Sequence, residues 1–177
     1  MSSPRQRRGF SLIELLIVIA IILIIITMAV PKFRSATMHA RETAALVAIK
    51  SIHSAQTMYQ SQYNRYATSL AELGPPASGA PSPAAADLIG TDLAQGVNKG
   101  FRFTLSSIPG GYQVNANPIN FGTDGSMCFF SDQSMVVRVN YGPEPATASS
   151  REYGTAADTT QGGAAGGAAP PATAPAK

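Results

Sequence analysis

The chain has 177 residues and a formal net charge of +3, and its 13% of charged residues is about half the share typical of soluble globular proteins. Its one cysteine, Cys128, excludes an intramolecular disulfide and a cysteine-rich metal site. Three of the 13 basic residues, Arg5, Arg7 and Arg8, lie at the N-terminus, and without them ten basic and ten acidic side chains balance. We therefore do not expect nucleic acid as a partner.

A long apolar run follows these arginines. Residues 12–30 read LIELLIVIAIILIIITMAV, in which Glu14 and Thr27 are the only polar residues. A helix of this length spans about 28 Å, close to the ~30 Å hydrocarbon core of a bilayer. Because the basic residues precede the run, the positive-inside rule places the N-terminus in the cytoplasm and the bulk of the chain outside. The run predicts a single membrane-spanning helix.

An ordinary signal peptide is the alternative for this region. A small-x-small site at residues 27–29 would leave Val30 as the first residue after cleavage. The apolar run is long for a signal peptide, and Pro31 would follow the cut closely. Glu14 also argues against it, because a carboxylate within an apolar segment costs about 2.5–3.5 kcal/mol on insertion scales and usually has a function.

The residues around Gly9 form a specific motif, Arg7-Arg8-Gly9-Phe10-Ser11-Leu12-Ile13-Glu14-Leu15-Leu16. This segment resembles the processing site of type IV prepilins and their pseudopilin relatives. The resemblance implies cleavage by prepilin peptidase between Gly9 and Phe10 on the cytoplasmic face, and N-methylation of the new Phe10 amine. It is strongest over residues 7–34. Beyond them only the expected layout matches, a long helix followed by a loop and a small antiparallel sheet.

Elementary chemistry agrees with this interpretation of the motif. Gly9 has no side chain, so a peptidase can bring its catalytic groups close to the scissile bond. Glu14 lies one helical turn from Phe10, and in a bundle of parallel helices shifted along their axes it can meet the Phe10 amine of the next subunit. Because an unpaired charge out of water is heavily penalised, we interpret Glu14 as an assembly residue that sets the register. The alternative is a carboxylate that reaches the membrane interface without a partner.

Residues 32–73 are predicted to continue the helix as its amphipathic half. Apolar residues recur there at helical spacing, namely Ala45, Ile49, Ile52, Tyr59, Tyr63 and Tyr66. Polar residues fall largely off this stripe, namely Arg41, Glu42, Lys50, Gln56, Gln60 and Arg65. We expect the stripe to pack on the sheet of the same domain rather than to conduct electrons along a filament. Pro31 lacks an amide hydrogen, which predicts a helix kink near the outer membrane surface.

The rest of the chain divides by composition. Residues 74–95 form a Pro/Gly/Ala-rich connecting loop, with a short helical turn in its second half. Residues 96–141 contain four alternating runs bounded by turn residues, at 101–105, 112–116, 127–130 and 135–139. They predict a sheet of about four antiparallel strands packed on the helix, which is an α+β fold like that of type IV pilins. Residues 142–177 are rich in small residues and predict a flexible tail.

The sequence offers few candidate catalytic or metal-binding residues. His39 and His53 lie about 21 Å apart along a helix, too far to share a metal ion. Asp124 and Asp132 occur in turn contexts, and Cys128 lies in a strand pattern typical of a buried apolar residue. We therefore expect no catalytic, cofactor or metal site, and no enzyme.

The sequence as a whole predicts a structural subunit of a type IV pilus. After loss of the leader, residues 1–9, the helix of residues 10–31 would hold it in the bacterial inner membrane and then form the core of an extracellular filament. The implied partners are further copies, related minor pilins, prepilin peptidase, the pilus assembly machinery and membrane lipid. One alternative is a pseudopilin of a type II secretion or related system, in a periplasmic pseudopilus. The other is a non-polymerising, single-pass anchored binding or sensing domain.

Overall fold

The computed structural model describes residues 11–155, and these form one long helix followed by a small sheet. Helix α1 runs over Leu12–Tyr63, and two short helices follow it. They are α2 (Leu70–Leu73) and α3 (Thr91–Ala94). The strands are β1 (Val97–Asn98), β2 (Phe101–Ile108), β3 (Gly111–Pro118), β4 (Cys128–Asp132), β5 (Val137–Asn140) and β6 (Arg151–Glu152). The predicted α+β class is confirmed.

The sheet is an antiparallel meander in which the six strands lie in chain order. Its longest pairing is the β2–β3 hairpin, which runs from Phe101 opposite Pro118 to Ile108 opposite Gly111. Gly110 closes that hairpin with a φ of 79°, a conformation that glycine adopts at little cost. The four predicted runs correspond to β2–β5. The two-residue edge strands β1 and β6 add to the predicted number, because so short a segment carries no alternation to recognise.

One face of the sheet packs on the second half of α1, as the apolar stripe predicts. Within the stripe, Ala45, Ile49, Ile52 and Tyr59 are at most 2% exposed. Tyr63 and Tyr66 are partly buried against the same core. The sheet contributes alternate residues of its two longest strands, namely Phe101, Phe103, Leu105, Tyr112, Val114 and Ala116. The packing of the tyrosines explains their helical spacing.

The amphipathic half of the helix is shorter than predicted. Helix α1 ends at Tyr63, where Asn64 adopts the left-handed conformation common at helix C-termini. The Asn64 N–H binds the Gln60 carbonyl at 2.9 Å. The chain then reverses, so that the Tyr66 ring packs against Tyr112 with 5.1 Å between ring centroids. The predicted single helix to residue 73 is therefore interrupted, and Leu70–Leu73 form the separate helix α2.

Two polar residues of α1 that the sequence placed off the stripe are buried, namely Glu42 and Gln56. The Gln56 carboxamide accepts from the Ala67 N–H at 2.9 Å and donates to the Ala67 carbonyl at 3.0 Å. It thereby pairs both backbone groups of a buried residue in the chain reversal, which would otherwise lack partners. Helical periodicity does not identify such a residue, because its hydrogen-bond partner lies in a segment outside the helix.

We expect Gln56→Ala to lower the free energy of unfolding by about 2–4 kcal/mol, because two buried backbone groups lose their partners. The matched control is Gln60→Ala, one turn further along the same helix at an exposed position. The measurement is urea unfolding of the full chain in detergent, followed by the near-ultraviolet circular dichroism of the buried tyrosines. Equal unfolding midpoints for the two variants would contradict the role of Gln56.

The head extends beyond the predicted boundary at residue 142. Residues 142–150, here called the strap, lie on the outer face of the sheet, where Ala146 packs with Cys128 and Phe130 in a second small core. Side chains of the sheet donate to three carbonyls of the strap: Asn115 to Ala146 at 2.8 Å, Asn140 to Glu144 at 3.0 Å and Arg138 to Ser150 at 3.1 Å. Strand β6 then pairs with β5. The predicted tail is therefore wrong for residues 142–155, and its remainder, 156–177, lies outside the described residues, as does the predicted leader.

Candidate assembly helix and its junction with the head

The first half of α1 exposes a long apolar surface. Its large apolar side chains from Leu12 to Ile26 are between 44% and 81% exposed. Within residues 11–155, α1 is the one helix long and apolar enough to cross a membrane, by length and composition. Water does not solvate such a surface favourably. This half of the helix needs lipid or other protein around it, and the same helix continues into the core of the head.

The predicted processing and assembly residues lie at the start of this helix. Glu14 is exposed in the first turn of α1, and its N–H binds the Ser11 carbonyl at 3.1 Å. A carboxylate there interacts favourably with the helix dipole. Gly9 and Phe10 lie outside the described residues. Helix α1 continues through Pro31, and the kink there stays a prediction, as does the assembly role of Glu14.

Two neighbouring residues of α1 fasten the loop between β3 and β4, residues 119–127, here called the basal loop. Arg41 forms an ion pair with Asp124. The buried Glu42 carboxylate accepts from the Ser126 N–H at 2.7 Å and from its hydroxyl at 2.9 Å. Because both bonds join residues more than 80 positions apart, they fix the height of the sheet along the helix. We call these bonds the clamp.

Asp124 also organises the basal loop itself, in agreement with its predicted turn role. Its second carboxylate oxygen accepts from the Asn120 N–H at 3.1 Å and from the Asn120 side-chain amide at 2.8 Å. Close packing adds to this order, since a Cβ on Gly125 would lie 2.5 Å from the Phe101 ring. The turn role was visible in the sequence, but the partnership with Arg41 was not.

His53 bonds α1 to the middle of the sheet. The Ser131 hydroxyl donates to the Val136 carbonyl at 2.9 Å, so Ser131 Oγ accepts from His53 Nε2 at 2.9 Å. His53 Nε2 therefore carries a hydrogen. In the neutral imidazole, which burial favours, Nδ1 accepts from the Tyr112 hydroxyl at 2.6 Å.

A serine hydroxyl beside a histidine nitrogen is also the geometry of an activated nucleophile. Here Ser131 is 0% exposed, and its hydrogen points to the Val136 carbonyl rather than to the imidazole. The arrangement therefore holds helix to sheet. Burial lowers the pKa of His53, against a smaller opposing effect of Asp132, and burial raises the pKa of Tyr112 to about 12.

The lowered pKa of His53 makes the stability of the head pH-dependent. Because the folded-state pKa lies below the unfolded value of about 6.5, the unfolded chain binds more protons as the pH falls through that value. Stability is therefore complete above the unfolded pKa and is lost as the pH decreases below it. We expect the urea midpoint to fall between pH 7.5 and 5.5. His53→Gln should remove most of this dependence. His39→Gln should retain it, because His39 is exposed and its imidazole contacts the Glu42 carboxylate, at 3.2 Å, rather than the sheet. A pH-independent midpoint in the unaltered chain would contradict the assignment.

Two further residues considered from the sequence, Cys128 and Asp132, make contacts within the head. Cys128 is buried as predicted, and burial raises the pKa of its thiol to about 11. Asp132 accepts from the backbone N–H and the hydroxyl of Ser134. Within residues 11–155, no three His, Cys, Asp or Glu side chains lie close enough to hold a metal ion.

Comparison with known proteins agrees with these features. Residues 4–30 match the prokaryotic N-terminal methylation motif. The chain is 38% identical over 72 residues to the type IV major pilin protein PilA of Myxococcus xanthus, a match that covers 41% of this chain and 32% of that protein. It is 39% identical over 69 residues to the type IV wide pilus major component PilA4 of Thermus thermophilus, covering 39% of this chain and 53% of the relative. No solved structure matches the chain significantly.

The chain therefore combines an N-terminal methylation motif, a helix of membrane length and an α+β head. The similarity to two major pilus components supports the type IV pilin family for this chain, and the resemblance seen around Gly9 is confirmed. The matches span about a third of one relative and about half of the other.

Proposed function

We propose that this chain is a structural subunit of a type IV pilus that polymerises through its N-terminal helix. The observation that carries the proposal is the apolar surface of residues 12–26, which the described part of the chain leaves uncovered. The same helix is packed into the head from Glu42 onward. A subunit built in this way can transfer its apolar half from lipid to a bundle of like helices while the head stays folded.

The energetics of assembly follow from this arrangement. Before assembly the helix lies in the bacterial inner membrane, with its N-terminus in the cytoplasm. An apolar helix that leaves lipid must be buried again, and a bundle of parallel copies at a filament core provides that burial. The heads then form the outer surface of an extracellular filament. Related minor pilins and the assembly machinery are the further partners that this role requires.

Processing prepares the helix for assembly. Prepilin peptidase would cleave between Gly9 and Phe10 and remove the three arginines of the leader, and the Phe10 amine would then be methylated. Glu14, one turn into the helix, would pair with the Phe10 amine of a neighbouring copy. The match of residues 4–30 to the methylation motif supports this part of the proposal.

A pseudopilin of a secretion system shares the same helix and motif. Both similar proteins are major pilus components, which favours the pilus. A single-pass anchored domain that never polymerises would need neither the processing site nor Glu14, so the processing of the chain and the effect of Glu14 variants separate it from a pilin.

We expect the protein isolated from membranes to begin at Phe10 and to lack the leader arginines. Intact mass and N-terminal sequencing measure this directly, and the mass should include one methyl group on the terminal amine. In cells without prepilin peptidase the chain should keep residues 1–9. A mature chain beginning at Val30 would show ordinary signal-peptide removal and would refute the pilin proposal.

A pair of leader variants tests the cleavage site itself. Gly9→Val adds a branched side chain next to the scissile bond and should block cleavage. The matched control, Ser3→Val, makes a similar change away from the bond and should be processed normally. Normal processing of Gly9→Val would contradict cleavage at this bond.

A further inference from the structure

The base of the head carries an exposed amphipathic surface that the packing of the head does not use. A groove of ≈ 780 Å³ lies between α1 and the basal loop, lined among others by Phe33, Met38, Gly122 and Thr123. Phe33 is 71% exposed, and Phe121 in the same loop is 41% exposed. Large exposed aromatic side chains at one end of a small head indicate a contact surface.

The charges around this groove are basic. Lys32 and Arg34 are exposed, and within residues 11–155 no salt bridge joins either of them to an acidic side chain. The two carboxylates that contact this part of α1 are already bonded: Asp124 to Arg41, and Glu42 to Ser126. The surface therefore offers free cations and aromatic rings together.

Its position relative to the apolar helix identifies the partner. At 1.5 Å per residue, Phe33 lies about 5 Å beyond the end of the apolar run at residue 30. The polar layer on each side of a bilayer is about 5–7 Å thick. Aromatic side chains favour that layer, and Lys and Arg at helix ends reach its phosphates. The groove therefore lies beside the headgroups whenever the helix spans a membrane.

Hydrogen bonds hold the basal loop, which completes the groove, in one conformation. The Gly122 N–H binds the Gly125 carbonyl at 2.8 Å, and the Asp124 N–H binds the Asn120 carbonyl at 2.9 Å. The clamp, through Arg41 and Glu42, holds this closed loop against α1. Its aromatic tip therefore stays at a fixed height along the helix.

We propose that the groove formed by Phe33, Met38 and the basal loop is a docking surface for the phospholipid headgroups of the outer leaflet, which seats the head on the membrane before assembly. Lys32 and Arg34 bind lipid phosphates, while Phe33 and Phe121 lie at the boundary between headgroups and acyl chains. The seat fixes the tilt of the head, and it must be released when a subunit leaves the bilayer. This inference rests on the proposed membrane stage of the pilin.

The test uses the full mature chain in vesicles of phosphatidylethanolamine and phosphatidylglycerol at one chain per vesicle, with a nitroxide on the lipid headgroups. Three single variants carry a fluorophore: Thr123→Cys in the groove, Ile21→Cys in the apolar helix, and Ser107→Cys. Ser107 lines a depression together with Asn64. Asn64 lies at the far end of α1, about 35 Å from Arg41 along the helix axis. The buried Cys128 thiol, with its pKa raised to about 11, should remain unlabelled in the folded chain.

We expect the nitroxide to remove most of the emission at residue 123 and little at residue 107. Arg34→Glu and Phe121→Ser should each reduce quenching at 123, while a label at 21 with an acyl-chain nitroxide stays fully quenched. Quenching at 21 without quenching at 123 would overturn the membrane seat and leave the pilin proposal standing. An unquenched label at 21 would overturn both.

A second copy of the chain is the competing occupant of the groove. If the label at 123 escapes lipid quenching at one chain per vesicle, but two labels at 123 transfer energy at high protein density, the groove is a contact between copies and the membrane seat is wrong.

Discussion

Cells whose only copy of this chain carries Glu14→Val are expected to have no filaments, although the variant accumulates normally in the membrane. The substitution removes a charge that costs about 2.5–3.5 kcal/mol to insert, so insertion should be unimpaired. Cleavage should persist as well, because the scissile bond lies outside the proposed pair. Assembly should fail because each Phe10 amine would enter the helix bundle without a partner for its charge.

The measurement is the yield of sheared filaments beside the membrane pool of the same protein. Thr27→Val is the matched control, since it replaces an exposed polar residue of the same apolar segment whose hydroxyl bonds only within the helix, to the Ile24 carbonyl. It should leave the filament yield unchanged. Normal filaments from Glu14→Val would refute the pairing role, and an anchored, non-polymerising domain would tolerate the change.

Removal of residues 142–177 is expected to destabilise the head, whereas removal of residues 156–177 should leave its stability unchanged. The longer truncation deletes the strap and β6, exposes Phe130 and Cys128, and leaves the Asn115 amide without its carbonyl partner. Because the Phe130 ring loses its buried contacts and several hydrogen bonds are lost, we expect the free energy of unfolding to fall by about 3–5 kcal/mol. The shorter truncation deletes only small and polar side chains.

Cys128 reports on this prediction directly. In the full chain and in the shorter truncation its thiol is buried with a pKa raised to about 11, so a thiol reagent at pH 8 should react slowly. In the longer truncation the same reagent should react rapidly without denaturant. Slow reaction in both truncations would show that the strap does not cover the thiol.

The local patterns of this sequence determine most of the elements. A run of apolar residues of membrane length, followed by apolar residues at helical spacing, indicates one long helix whatever surrounds it. The four alternating runs indicate strands in the same way, because side chains of a strand alternate between two faces. The motif around Gly9 carries the resemblance to type IV prepilins, since its residues lie within one short segment.

The tertiary structure alone decides how the head is fastened. By helical spacing Glu42 and Gln56 look like exposed residues, but both are buried. Glu42 accepts from Ser126 and Gln56 donates to Ala67, and both partners lie outside the helix. His53 carries no recognisable motif, because its partners Tyr112 and Ser131 come from two different strands.

The strap shows the same limit at the end of the head. Its composition is that of a flexible tail, and Ala146 is buried because it packs with Cys128 and Phe130 of the sheet. Periodicity and composition record what a residue does within its own segment. The partner that a side chain meets across the fold is set by the packing of helix against sheet, and no local pattern contains it.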